Sequence, residues 1–178
     1  SQSSVQIAAK SSREMLRARR ICGIMTVGLK IKGGIIMNRS KVYFTSMRVS
    51  GGEDLCAKLV RLVRAAGIET IDFKDKFTAI KLHFGEEGNL AFLRPDYARA
   101  IVRLVRSLGG KPFVTDCSTL YVGSRKNALD HLDTAYRHGY NPFATECHTI
   151  IADGIKGTDD VEVPINGEFV TRAKLGRT

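Results

Sequence analysis

Strand-length apolar runs alternate with amphipathic helical stretches through most of this chain, and glycines mark the joins. Residues 41–46, 77–84, 111–116 and 149–153 read as strands. Between them, residues 53–66 put Leu55, Leu59, Leu62, Val63 and Ala66 on one helical face, and residues 95–108 do the same with Ala98, Ile101, Val105 and Leu108. Gly67 and the Gly109-Gly110 pair are placed to end these helices, and Pro95 with Asp96 suits a first turn. Ser124 is placed to cap a third helix running to about His138, with Gly139 beyond. Repeated β-α-β order requires crossover connections, so the expected class is α/β: an open, mostly parallel, Rossmann-like sheet flanked by helices. Near the end, 161–165 and 168–171 flank Asn166-Gly167, which reads as a C-terminal β-hairpin with a two-residue turn. Pro164 assigns its first strand to an edge.

A length of 178 residues with 43% apolar content supports one domain with a sizeable core, and no apolar run approaches the roughly 20 residues of a membrane span. The formal charge is +10, but residues 1–40 hold +7 of it. The pattern changes at Met37, after which the chain runs into the first strand-like stretch, so the expected organisation is a basic leader, 1–36, and an α/β domain, 37–178. The leader can be read as a presequence, a nucleic-acid arm, or sequence upstream of a start at Met37, and the pattern break at a methionine favours the last. Arg99, Arg103 and Arg106 share an outer helix face without interleaved aromatics, the pattern of a solvated surface rather than a nucleic-acid stripe. Cys22, Cys56, Cys117 and Cys147 form no C-x-x-C pair and match no zinc or cluster spacing, which suits reduced thiols in a cytoplasmic protein.

In open α/β sheets, ligands bind beyond the carboxyl ends of the strands. The second strand ends in Lys81-Leu-His-Phe-Gly-Glu-Glu-Gly-Asn89, where Gly85 and Gly88 let the backbone turn sharply and approach a ligand. His83 and Glu86 can serve there as an acid–base pair or as metal ligands. The third strand ends at Asp116, a candidate acid or metal ligand, followed by Cys117, which reads as a plain thiol. Asn127 and His131 share a helix face, and Arg125 near that helix's start is placed to hold an anion. The fourth strand ends in Asp153-Gly154, again an acid at the carboxyl edge. The catalytic candidates are therefore His83, Glu86 and Asp116, with His83 and Asp116 also the candidate ligands of a divalent metal. The ligand-binding candidates are Lys81, Gly85, Asn89, Tyr121, Arg125, Asn127, His131 and Asp153.

Four ordered strings carry a resemblance: 81–89, Pro112-Phe-Val-Thr-Asp-Cys-Ser-Thr-Leu-Tyr121, Gly123-Ser-Arg-Lys-Asn-Ala-Leu-Asp-His131 and Ile151-Ala-Asp-Gly154. Together they resemble the uncharacterised iron–sulfur centre proteins, a branch of a larger domain-of-unknown-function family, over about residues 41–175. The resemblance implies an α/β domain followed, in longer members, by a ferredoxin-like module with cluster-ligating cysteines. No such cysteine-rich run follows here, so the expectation is the N-terminal part of that arrangement, with a cluster only in longer relatives. The expected function is a redox-associated α/β domain that binds a small anionic ligand or a metal. The alternative is a metal-dependent enzyme acting on a small carboxylate or phosphorylated substrate. A sheet edge left open by missing strands invites self-association.

Overall fold

The structure is a computed structural model that describes residues 23–25, 41–49, 51–165 and 167–178. The chain divides into two compact units, Ser1–Arg48 and Val49–Thr178. In the first, β1 (Gly23–Met25) pairs antiparallel with β2 (Val42–Phe44), Ile24 lying opposite Tyr43. The strand expected at 41–46 therefore exists but is not a member of the parallel sheet. Its short apolar run carries no mark that separates a parallel from an antiparallel partner. The boundary expected at Met37, and Cys22, lie outside the described residues.

The second unit opens with α1 (Leu55–Ala65), capped by Asp54, whose carboxylate accepts from the Ala57 N–H at 2.7 Å. Ala66 closes it, and Gly67 follows in the left-handed region at φ +95°. A single 3-10 turn, Ile68–Thr70, leads toward β3 (Phe77–Lys81). Next come α2 (Pro95–Ser107), with proline in its first turn, and β4 (Lys111–Asp116). Then follow α3 (Ala128–Arg137), the short α4 (Pro142–Thr145) and β5 (Thr149–Ile151). β3, β4 and β5 form a parallel sheet in that order, Ile80 lying opposite Val114 and Asp116 opposite Ile151. This is the expected open, parallel α/β architecture.

Sequential strand order with right-handed crossovers sends α2 and α3 to the same side of the sheet. The core reflects that. Ala98 and Val102 of α2 and Ala135 of α3 meet Val114 and Ile151 of the sheet, together with Phe84 and Tyr140. Val102, Val114 and Tyr140 are fully buried, and burial of a side chain of this size stabilises the fold by about 1.5–3 kcal/mol. The other side of α2 turns Leu104 and Val105 toward Val63 of α1, with Ile68 and Phe73 completing a second cluster. On the opposite face of β3, Phe77 stays 82% exposed.

Two expectations are corrected. The hairpin forms, but between β6 (Asp160–Pro164) and β7 (Arg172–Gly176), Pro164 facing Arg172. Its connection is 165–171, not a two-residue turn; Asn166 lies outside the described residues. The loop folds on itself, so that a Cβ on Gly167 would lie 2.5 Å from the Val170 carbonyl oxygen, and the Ile165 N–H bonds the Thr171 carbonyl at 2.8 Å. The third helix begins at Ala128 rather than just after Ser124, because Asn127 is its cap. Among the described residues, no helix is long and apolar enough to cross a membrane.

Candidate functional site

The carboxyl ends of β3 and β4 and the loop before α3 converge on one guanidinium. Arg125 is 3% exposed. Its Nη1 donates to Asp116 Oδ2 at 3.0 Å, and its Nε donates to Glu86 Oε1 at 2.8 Å. Nη2 also donates to Glu86 Oε1 and, at 2.8 Å, to the Tyr121 hydroxyl, while His83 Nε2 lies 2.9 Å away. Tyr121 in turn donates its hydroxyl proton to Glu86 Oε1. Asp116, buried at the end of β4, is held on its other oxygen by Lys81 Nζ at 2.8 Å and by the Cys117 N–H at 2.9 Å.

Local sequence explains these placements. Asn127 Oδ1 accepts from the Leu129 and Asp130 N–H groups, each at 3.1 Å, so α3 starts there. The preceding segment is then free to fold back, the Thr119 N–H bonding the Arg125 carbonyl at 2.9 Å, and Arg125 turns inward. After β3, Gly85 sits at φ +92° in a space that admits no side chain. A Cβ there would lie 2.7 Å from His138 Nδ1 and 2.9 Å from Phe92 Cγ. His138 anchors this turn by stacking on Phe92 and by contacting the Phe84 carbonyl with Nδ1 at 2.8 Å. The turn presents Glu86 to Arg125.

Charge pairing shifts the groups accordingly. The Arg125 guanidinium, helped by the Tyr121 hydroxyl, holds the Glu86 carboxyl below the usual carboxylate range despite partial burial. Burial alone would lower Arg125, but its bonds to Glu86 and Tyr121 outweigh that and raise it. Burial raises the Cys117 thiol, with Asp153 adding to it, so Cys117 stays protonated and is a poor nucleophile.

His131 lies beneath this cluster, fully buried on α3 with its ring edge-on to Phe84. Neither ring nitrogen has a hydrogen-bond partner, and Nε2 stops 3.7 Å from Asp116 Oδ2. Burial pushes its pKa down to about 4, with Asp116 working in the opposite sense, so the ring is neutral at pH 7.

The structure thus brings Lys81, His83, Glu86, Asp116, Tyr121, Arg125 and His131 into one cluster. Asp153 belongs to its neighbourhood in another role, with both carboxylate oxygens accepting from the Ser118 N–H at 3.0 and 2.9 Å and Oδ1 also taking the Ser118 hydroxyl. Gly85 shapes the turn. Asn127 is occupied as a cap, and Asn89 makes a turn, accepting from the Ala91 N–H at 2.8 Å. Neither projects into the cluster. Sequence reasoning missed Ser118, which ties the β4 and β5 ends together, and His138, which supports the Gly85 turn.

A cation does not fit between His83 and Asp116 as they stand, because both contact the same positive guanidinium. Among the described residues, no group of three or more His, Cys, Asp or Glu side chains is arranged to hold a metal ion. A groove of about 690 Å³ between α1 and α2, floored by Val60 and Leu104 and edged by Arg61, Arg64 and Arg103, shares no residue with this cluster.

Fold and site together define an α/β domain whose polar cluster lies at the carboxyl edge of a parallel sheet. The chain belongs to the family described as Domain of unknown function (DUF362), which matches residues 78–178, from β3 onward. No curated protein and no solved structure gives a significant match.

Proposed function

We propose that residues 49–178 are a ligand-binding α/β domain that takes a small anion at the carboxyl edge of the sheet, with Arg125 as the principal recognition group and Lys81 beside it. The observation that carries this reading is the buried guanidinium at the meeting point of two strand ends, with the partly exposed Glu86 and the exposed Tyr121 as its outer partners. Asp116 fixes one arm of the guanidinium, and the Nε–Nη2 edge, taken by Glu86 in this structure, has the fork geometry that pairs with a carboxylate or phosphate. The resemblance to iron–sulfur centre proteins supplies a setting, a domain working beside a redox module in longer relatives. The cysteines described in this chain do not suit a cluster: Cys56 is on α1, Cys117 follows β4 and Cys147 is in the core.

The alternative, a metal-dependent enzyme using His83, Glu86 and Asp116, requires Arg125 to leave the buried Asp116 first, whereas an anion on Arg125 requires only the partly exposed Glu86 to move. Calorimetric titration of the full chain with succinate and with inorganic phosphate tests the proposal. Saturable binding that is lost in Arg125→Lys, with the fold retained by circular dichroism, is the expected result. Zinc or manganese binding that depends on His83 and Asp116, with no anion binding, is the result that overturns it.

A further inference from the structure

We infer that the Glu86 carboxylate sits in the seat of a ligand's carboxylate group on Arg125, so that the described state is a self-occupied form and binding requires Glu86 to be displaced. This rests on the anion reading above and names the ligand class it takes.

The first ground is the seat itself. One oxygen, Glu86 Oε1, receives hydrogen bonds from Arg125 Nε at 2.8 Å, from Arg125 Nη2 and from the Tyr121 hydroxyl. The Nε–Nη2 edge of a guanidinium matches a planar carboxylate with two parallel bonds. Here a single oxygen takes both, so Glu86 does not form the two parallel bonds that a better-seated carboxylate would make.

The second ground is His83. The Gly85 N–H donates to its Nδ1 at 2.9 Å. A neutral imidazole with Nδ1 accepting carries its proton on Nε2. That N–H then faces Arg125 Nη2, another donor, at 2.9 Å. Two donors face each other, and an incoming ligand oxygen that accepts from both resolves the mismatch. Glu86 approaches Arg125 without, among the described contacts, bonding His83.

The third ground is the difference in how the partners are held. Arg125 and Asp116 are buried, and Asp116 is tied by Lys81 and by the Cys117 N–H, so that arm of the guanidinium stays fixed when Glu86 leaves. Glu86 has a 30% exposed side chain on the connection between β3 and α2, between Gly85 and Gly88, both with positive φ. Tyr121, its other partner, is more than half exposed. The competitor is thus mounted on the exposed part of the site, and the receptor on the buried part.

An internal competitor that occupies the seat about nine-tenths of the time weakens ligand affinity about tenfold, and removing it restores that factor. The test is calorimetric titration of native protein, Glu86→Ala and Glu86→Gln with succinate and, separately, with inorganic phosphate. The expected result is about tenfold or tighter succinate binding in Glu86→Ala, a smaller gain in Glu86→Gln, and little gain for phosphate. Acetate, which matches the deleted carboxylate, should also raise the melting temperature of Glu86→Ala more than that of the native protein, a readout that does not need saturation. Equal succinate affinity in native and variant proteins overturns the self-occupied seat while leaving the anion site standing. A gain for phosphate alone overturns the carboxylate class. Absence of binding by every form, with no acetate effect, removes both this inference and the reading beneath it.

Discussion

His131 makes the domain acid-sensitive in a way that can be isolated. The ring is fully buried, both nitrogens lack partners, and its folded pKa is about 4 against an ordinary value of 6.5. Between those values the unfolded chain binds a proton at this residue and the folded chain does not. Stability therefore rises with pH across that window and is lost as pH falls from about 6.5 toward 4. Linkage over that interval gives about 2 kcal/mol lost between roughly pH 7 and pH 4.5 from this one group. In urea unfolding that is a fall in midpoint of about 1 M beyond what the carboxylates contribute. His131→Leu removes the proton-binding group and two unpartnered polar atoms at similar volume, so at neutral pH it should cost less than about 1 kcal/mol or stabilise. As pH falls, the variant should gain on the native protein by about the same 2 kcal/mol. Parallel stability curves for the two proteins across this range would overturn this, because they would mean that His131 takes up its proton equally in the folded and unfolded chains.

Three further outcomes follow from the same geometry. Asp116→Asn removes the charge opposing a buried arginine, and unfolding should show a loss of about 3 kcal/mol, the cost of a broken buried pair. Gly85→Ala forces a side chain into a left-handed backbone position against His138 and Phe92, so its urea midpoint should fall by an amount equivalent to about 1–3 kcal/mol. Tyr140→Phe deletes the hydroxyl that donates to the Leu93 carbonyl, and should cost about 1–2 kcal/mol in the same assay while leaving anion binding unchanged.

Much of the architecture was legible because it rests on local pattern. The helical faces of α1 and α2, the Gly67 cap and the strand ending at Asp116 follow from periodicity and punctuation, whereas the strand expected over 77–84 stops at Lys81. Placing candidates at strand carboxyl ends found most of the cluster, since parallel strands bring those ends together whatever their partners. What local pattern does not carry is the identity of long-range contacts. Nothing near β2 reveals that its partner is Gly23–Met25. Asn127 and Ser124 are both good caps by composition, and the pattern alone does not choose between them; the structure uses Asn127, and Arg125 before it turns toward Asp116. The role of Glu86 depends on a contact with a residue 39 positions away. The burial of His131 did leave a trace, since it shares a helical face with Ala128 and Ala135, both buried.

The proposed role of Arg125 is to receive an anion at the carboxyl edge of the sheet. Its most direct test is the ¹H–¹⁵N resonance of the Arg125 Nε–H, followed during titration of the full chain with succinate. Anion binding at Arg125 should produce a saturable shift of that resonance, in step with those of Glu86 and the 83–89 backbone as Glu86 is displaced. Succinate binding that leaves the Arg125 Nε–H and this turn unmoved would contradict it.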